Sequence, residues 1–112
     1  MRECNYNKVV ANIRFEWDKA KNAANLRKHG ISFEDATEAF FDPFQVSVQD
    51  RDDDGETRWQ AFGLSKGVLL LMVANTTWEE EGDEETFVEV VRIISARAAT
   101  PNERRDYEIQ NR

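Results

Sequence analysis

A small set of charged side chains could carry out acid–base or phosphate chemistry in this sequence. Arginine binds phosphate oxygens in pairs, lysine supplies a point charge, and a carboxylate accepts a proton. Because His29 is the sole histidine, two-histidine catalysis within one chain is excluded, which leaves a His–Glu pair or charge stabilisation alone. The candidate residues are Lys21, Lys28, His29, Glu56, Arg58, Arg92 and Arg97.

The candidates in the first half of the chain also have structural interpretations. Asp18, Lys21, Asn25 and Lys28 follow one another at helical intervals, so they share one side of a helix. Such a face could bind phosphate, or it could simply be solvated. His29, in a last helical turn, could be catalytic, or it could interact favourably with the helix dipole and bond free carbonyl groups.

The candidates in the second half also leave alternatives open. Arg92 and Arg97 are five residues apart, so in a regular strand they would face opposite sides of the sheet. Arg97 is the stronger site candidate because it lies at a strand exit, although an ion pair with Glu103 or Asp106 would also explain it. Tyr107 is expected to pack in the core.

The elements that must position these residues follow from hydrophobic periodicity. The pattern predicts an α+β fold with an antiparallel sheet, helices packed on one face, and the order β-α-α-β-β-β-β-α. Residues 1–12 are expected to be an N-terminal extension and residues 13–112 one domain. The predicted elements are strand 13–17, helix 19–29, a helix from 33 to the Asp42-Pro43 stop, strands 45–49, 58–65, 68–76 and 87–97, and helix 101–110.

Capping residues mark where the helices begin and end. Asp18 and Ser32 are predicted N-caps, and Gly30 is placed to end the first helix. Thr100 and Glu103 form a capping box around Pro101, which predicts the closing helix. A tight turn is expected at residues 66–67. Four aromatic residues are assigned to packing: Phe33, Phe40, Phe44 and Trp59.

The charge is unevenly distributed over the 112 residues. The net charge is −7, but residues 50–56 carry −4, residues 79–89 carry −7 and the remainder carries +4. Both acidic segments are expected to be loops, the second a mobile hairpin tip, and a basic face beside them remains compatible with a polyanion. Residues 50–55 imitate half of a calcium loop, but Ala61 replaces the bidentate Glu and strands replace the flanking helices.

Composition also excludes several classes of protein and site. The longest apolar run is far shorter than the roughly 18 residues of a spanning helix, and no signal-peptide pattern opens the chain, so a cytoplasmic location is expected. Cys4 is the only cysteine, which excludes an internal disulfide and a cage of cysteine ligands. No metal or cofactor is expected.

Two signature blocks resemble the BrnT family of bacterial toxins. The first is Lys-His-Gly-Ile-Ser-Phe-Glu at 28–34, preceded by Phe-Glu-Trp-Asp at 15–18. The second is Arg-Ile-Ile-Ser-Ala-Arg at 92–97, with Glu-Thr-Arg-Trp at 56–59 between the two blocks. The resemblance runs from about Phe15 to Tyr107.

The resemblance implies a RelE-like fold and a toxin that cleaves RNA without a metal and inhibits translation. It implies a small antitoxin of the ribbon-helix-helix type as partner. The assembly is expected to be either a homodimer of the toxin or a hetero-oligomer of toxin and antitoxin. By this resemblance Lys28, His29, Glu56, Arg58 and Arg97 are catalytic candidates. Lys21 and Arg92 are candidates for RNA binding. The alternative function is a binding module that keeps the antitoxin interface without catalysis.

Overall fold

A single six-stranded sheet organises the chain in the computed structural model, which describes residues 6–10, 12–53, 55–82 and 86–111. Three α-helices and one 3₁₀ helix accompany the sheet, so the α+β class is confirmed. The strands are β1 (Tyr6–Val10), β2 (Ile13–Trp17), β3 (Val46–Asp53), β4 (Glu56–Ser65), β5 (Leu69–Glu81) and β6 (Phe87–Ala98). The helices are α1 (Lys19–His29), α2 (Phe33–Ala36), the 3₁₀ helix (Thr37–Phe41) and α3 (Pro101–Gln110).

The sheet order is β1-β2-β6-β5-β4-β3, and every pair is antiparallel except β2 with β6. The expectation of a wholly antiparallel sheet is therefore wrong at this one pair. After β2, the chain crosses one face of the sheet through α1, α2 and the 3₁₀ helix and then forms β3, β4 and β5. The last strand, β6, returns beside β2 and runs in the same direction. β1 pairs with β2 and adds a strand within the expected extension at 1–12. The boundary at residue 13 stays a prediction, and Cys4 lies outside the described residues.

The predicted helix ends are confirmed. Asp18 Oδ1 accepts hydrogen bonds from the backbone N–H groups of Ala20 and Lys21 at 2.8 and 3.1 Å. Gly30 closes α1 with a φ of 73°, a conformation that a residue with a Cβ adopts at a cost. The Thr100–Glu103 capping box begins α3. The second helix differs from the prediction, because it tightens into a 3₁₀ helix at Thr37 before Asp42 ends it.

The core lies between the sheet and the first three helices. We call this side of the sheet the helix face. Buried side chains from the strands meet buried aromatic and alanine side chains from the helical segment. Gly63 shows how close the packing is, since an added Cβ would lie 2.2 Å from the carbonyl oxygen of Ala39. The core cluster consists of Phe15, Trp17, Ile31, Phe33, Ala36, Ala39, Ala61, Leu71, Val73, Val91, Ile93 and Ala96.

The acidic segments are strand ends. β3 continues to Asp53 and β4 starts at Glu56, while β5 continues to Glu81. The expectation of long acidic loops is wrong because antiparallel pairing satisfies the backbone groups while the carboxylates remain in solvent. Asp54 and residues 83–85 lie outside the described residues. β3 and β4 flank the calcium-like segment, as the sequence predicted.

A bulge in β6 changes which residues share a face. Ser95 pairs with Ala74 and Ile93 pairs with Asn75, so Ile94 has no register partner. The extra residue shifts the alternation by one position. Arg92 and Arg97 consequently lie on the same side of the sheet, and the expectation that they face opposite sides is wrong.

The last helix adjoins the side opposite the helix face. Arg97 pairs with Met72, and Met72 with Phe62, so these side chains share that side. Glu103 of α3 binds Arg97 there. One side of α3 faces a hollow over Phe62, formed by Glu103, Asp106, Tyr107 and Gln110. The helices therefore do not all pack on one face, because the capping box after β6 directs α3 to the other side.

Candidate functional site

A row of polar side chains crosses five strands on the side of the sheet opposite the helix face. The register places Arg51 beside Arg58, Thr76 beside Arg92, and Arg92 beside Glu16. Arg58 lies beside Thr76, because Trp59 pairs with Asn75 in the antiparallel β4–β5 ladder. We call this side the arginine face. Among the described residues, the arginines on this face are Arg14, Arg51, Arg58, Arg92 and Arg97.

A buried carboxylate anchors one end of the row. The Glu16 side chain is 0% exposed, and its Oε2 accepts a hydrogen bond of 2.7 Å from Nη1 of Arg92. Arg14 lies 3.7 Å from the other carboxylate oxygen and also binds Glu80 at 2.8 Å. A fully buried carboxylate needs such partners, since an unpaired one would be strongly destabilising. The pairing holds Arg92 in place with one third of its side chain exposed.

A buried hydroxyl lies in the middle of the row. Thr76 is 1% exposed, and its Oγ1 has no hydrogen-bond partner among the described residues. Buried hydroxyl groups are nearly always bonded, so an unsatisfied one at this position indicates a site for a polar ligand atom. Ala74 is the next residue of β5 on the same face, and its side chain is small.

Arg97 lies on the same face beside α3, opposite Met72 and four residues from Thr76 along β5. Its Nη1 and Nη2 donate hydrogen bonds of 2.8 and 3.0 Å to the two carboxylate oxygens of Glu103. This bidentate contact lowers the pKa of Glu103 and raises the pKa of Arg97 relative to their ordinary values. The ion pair that the sequence offered as the structural interpretation of Arg97 is thus present, and the side chain remains one third exposed.

Tyr107 fixes α3 to the end of the 3₁₀ helix. Its hydroxyl donates a hydrogen bond of 2.6 Å to Asp42 Oδ2, which also accepts one from the backbone N–H of Leu64. Burial and this bond raise the pKa of Tyr107 to about 12. Burial opposes ionisation of Asp42, but the hydrogen bonds from Tyr107, Leu64 and Phe44 together hold its pKa below the usual value. Tyr107 is therefore a poor proton donor at neutral pH.

Four of the sequence-predicted site residues lie on the same side of the sheet. Arg58, Arg92 and Arg97 share the arginine face, and Glu56 precedes Arg58 by two positions in β4, so its side chain faces the same way. Glu56 is exposed. Arg58 and Arg92 flank Thr76, whereas Glu56 lies two residues beyond Arg58 and Arg97 lies opposite Met72, so roughly 20 Å along the strands separates Glu56 from Arg97.

The other three predicted residues lie elsewhere. Lys21, Lys28 and His29 are exposed on α1, which covers the helix face. Gly30, next to His29, lines a hollow with Ser65 at the far end of β4. Ser65 is seven residues from Arg58, or roughly 23 Å along the strand. The structure therefore does not bring Lys28 and His29 to the arginine face.

Sequence reasoning missed Arg14, Glu16, Arg51 and Thr76. Arg14 and Glu16 alternate with apolar residues in β2, a pattern typical of a strand with one solvent-exposed face, but the structure buries Glu16 completely. The signal for that burial is the register between β2 and β6, which join residues 76 positions apart. A single sequence contains no such information.

The aromatic assignments are partly confirmed. Phe33 is 0% exposed and Phe40 packs against the core. Phe44 is 55% exposed, so its assignment to packing is wrong. Trp59 is only half-buried and lines a groove on the helix face.

Comparison with known proteins decides the family. The family model for the ribonuclease toxin BrnT, of type II toxin–antitoxin systems, matches residues 17–103. The chain belongs to the BrnT family. BrnT proteins are ribonuclease toxins of toxin–antitoxin pairs, so an RNA target and an antitoxin partner come with membership.

A solved BrnT structure supports this assignment. The chain resembles the crystal structure of the Brucella abortus ribonuclease toxin BrnT, with 27% sequence identity and a TM-score of 0.53. The match covers 75% of this chain and 92% of the Brucella chain. A comparison with curated proteins gives no match. No described helix of this BrnT chain is long and apolar enough to cross a membrane. No group of His, Cys, Asp or Glu suited to metal binding occurs within the described ranges.

Proposed function

We propose that this BrnT protein is a metal-independent endoribonuclease whose RNA site is the row of polar side chains around Thr76 on the arginine face. The observation that carries the proposal is the unsatisfied hydroxyl of Thr76, buried in a row between arginines. Guanidinium groups that bind a carboxylate keep further N–H donors, because each has five. Arg92 and Arg97 can therefore bind a phosphodiester without giving up Glu16 and Glu103.

The residues present support transfer of the phosphoryl group to the neighbouring 2′-hydroxyl. Glu56 takes the 2′-hydroxyl proton, the 2′-oxygen bonds to phosphorus, and the bond from phosphorus to the 5′-oxygen breaks. Arg58 and Arg92 stabilise the charge on the phosphoryl oxygens. Neither His29 nor Tyr107 is placed to protonate the leaving oxygen, so that proton comes from solvent. The reaction is expected to be slow for this reason.

Cleavage of single-stranded RNA in the presence of a chelator tests the proposal. Arg58→Ala should lower the rate by roughly 10²–10³-fold, the usual effect of removing one donor to a developing negative charge. Arg105→Ala is the matched control, since Arg105 is exposed on α3 and contacts Asn102, and it should leave the rate unchanged. Normal cleavage by Arg58→Ala would contradict the proposed site.

Arg92 needs a design that separates catalysis from folding. Arg92→Ala alone removes the 2.7 Å hydrogen bond to the buried Glu16 and is expected to destabilise the protein. The double variant Arg92→Ala/Glu16→Gln removes both charges. If circular dichroism shows a native fold and the rate stays low, the loss reflects the missing guanidinium group at the RNA site and not unfolding. A double variant that cleaves like wild type would exclude Arg92 from the site.

A second candidate function is a BrnT protein that binds its antitoxin without cutting RNA. The observation that favours it is that Arg14, Arg92 and Arg97 each already bind a carboxylate. Under this alternative the free protein is harmless on expression and cleaves no RNA, yet it forms a tight complex with the antitoxin. Under the leading proposal, expression alone arrests translation and growth, and the antitoxin restores both.

The finer properties of the system belong to the same proposal. We expect a cytoplasmic protein and a small antitoxin of the ribbon-helix-helix type. The two proteins should form a hetero-oligomer, with a homodimer as the alternative for the free toxin. Co-expression with the neighbouring small reading frame, followed by light scattering of the purified complex, measures the stoichiometry.

A further inference from the structure

A groove on the helix face has chemistry that RNA cleavage does not use. It has a volume of about 250 Å³ and lies between the 3₁₀ helix and the acidic end of the sheet. We call it the acceptor groove and define it by Gln45, Trp59, Asn75, Thr77 and Glu89. No Lys, Arg or His is among the described residues that line it.

The amide groups of the groove present their oxygens. Asn75 is 1% exposed, and its Nδ2 donates a hydrogen bond of 2.9 Å to the carbonyl of Val73. A carbonyl can only accept, so this bond fixes the orientation of the amide. Asn75 Oδ1 has no hydrogen bond within the described residues. Gln45 Nε2 lies 2.7 Å from the Ser47 hydroxyl, which can donate as well as accept, so Gln45 can turn its oxygen toward a donor in the groove.

Negative charge is concentrated at the open end of the groove. Glu79 and Glu89 are direct cross-strand partners, so two carboxylates stand side by side on the helix face. Like charges in such a pair are destabilising unless a cation joins them. Neither carboxylate has an ion pair among the described residues. The half-buried indole of Trp59 adds an aromatic wall, which also attracts cations.

We propose that the acceptor groove binds an arginine side chain from a basic segment of a partner protein. A guanidinium group has only donors, so it matches the oxygens of Asn75, Gln45 and Glu89 while its flat face stacks on Trp59. A nucleic acid that entered the groove would bring its phosphates against the carboxylates of Glu79 and Glu89. The charge therefore favours a basic protein over RNA. This inference does not depend on RNA cleavage, because the groove and the arginine face are on opposite sides of the sheet.

A short glycine–arginine repeat peptide is the probe. The control peptide carries citrulline, which keeps the shape of arginine but replaces the guanidinium with a neutral urea. Binding to the full chain is followed by NMR through the indole N–H of Trp59, identified with Trp59→Phe. The arginine peptide should shift this signal and leave that of Trp78, on the arginine face, in place. The citrulline peptide should bind at least about tenfold more weakly.

A pair of charge-matched variants distinguishes the groove from general attraction to an acidic protein. Glu89→Gln should weaken peptide binding about tenfold, the value of a hydrogen bond to a charged group. Glu108→Gln changes the net charge equally from an exposed position on α3 and should have little effect. RNA cleavage should be normal in both variants.

Three outcomes would overturn the inference. The first is equal binding of the citrulline peptide, and the second is equal weakening by the two glutamate variants. The third is a shift of the Trp59 indole by a short RNA but not by the arginine peptide, which would make the groove a base-binding site.

Discussion

At the scale of single residues, the same helical spacing has two different outcomes in α1. Asn25 was grouped with Lys21 and Lys28 by position, yet it is 7% exposed and the two lysines are in solvent. Its Nδ2 donates to the carbonyl groups of Ile31 and Ala96, and its Oδ1 accepts from the N–H of Ala96. Asn25 therefore joins α1 to β6 and has a structural role.

Replacing this asparagine tests that role. Asn25→Ala leaves three buried backbone groups without partners and should lower the free energy of unfolding by roughly 2–4 kcal/mol. Lys28→Ala, one turn away and exposed, should change it by less than about 0.5 kcal/mol. Urea unfolding monitored by tryptophan fluorescence gives both values. Similar stability of the two variants would mean that the hydrogen bonds of Asn25 contribute little.

At the scale of elements, α3 is attached by polar contacts. The helix has no buried residue among those described. Arg97 binds Glu103 near its start, Asp42 binds Tyr107 in its middle, and Asn111 donates to the carbonyl of Phe44 after its end. Because two of these contacts involve ionisable groups with shifted pKa values, the attachment of α3 depends on pH.

The direction of this dependence follows from the shifts. Glu103 and Asp42 have lowered pKa values, so their contribution is present above the ordinary carboxyl range and is lost as the pH falls through the folded values. Tyr107 has a pKa raised from 10.0 to about 12, so its contribution is present below pH 10 and is lost as the pH rises toward 12. The attachment of α3 is thus strongest between these limits.

The absorbance of tyrosinate measures the ionisation of Tyr107 at alkaline pH. The chain has two tyrosines, and one should titrate near pH 12 in the wild-type protein. Tyr107→Phe should remove that step and leave the other. Asp42→Asn should lower the pKa of Tyr107 but not restore it fully, because burial still contributes. Titration of Tyr107 at its ordinary pH in the wild type would show that α3 is not held by this bond.

At the scale of the whole molecule, acidic side chains gather at one end of the sheet. The turn between β3 and β4 and the turn between β5 and β6 lie at the same end, because antiparallel strands alternate in direction. Asp50, Asp52 and Glu81 are exposed there. Their negative potential opposes the approach of RNA to the arginine face, although it does not occupy that face.

Removing part of this charge should speed RNA association. Asp50→Asn/Glu81→Gln is expected to raise the association rate several-fold at low salt, and Glu34→Gln/Glu108→Gln, with the same net charge, should raise it less. The difference should vanish near 1 M salt, where the screening length is about 3 Å. Stopped-flow fluorescence with a labelled RNA measures the rates. Equal acceleration by the two pairs would show that only net charge matters, and not its position.

Local signals in the sequence determined the helices, the turn at Lys66-Gly67 and most strands of this BrnT protein. Asp18, Gly30 and Thr100 act on backbone groups within a few residues, so their effects can be read without knowledge of the fold. The two signature blocks identified the family for the same reason, since they are contiguous in the chain. Arg58, Arg92 and Arg97 were correctly placed on strands or at strand ends, whereas Glu56 was assigned to a loop and lies at the start of β4.

Only the tertiary structure decided which of these residues meet. The bulge at Ile94 places Arg92 and Arg97 on one face, and the parallel pairing of β2 with β6 brings Glu16 to Arg92. Both depend on strand register, which is set by contacts between residues far apart in the chain. His29 has suitable chemistry, but α1 lies on the other side of the sheet. Residue type is a property of the sequence, whereas the face on which a residue lies is a property of the assembled sheet.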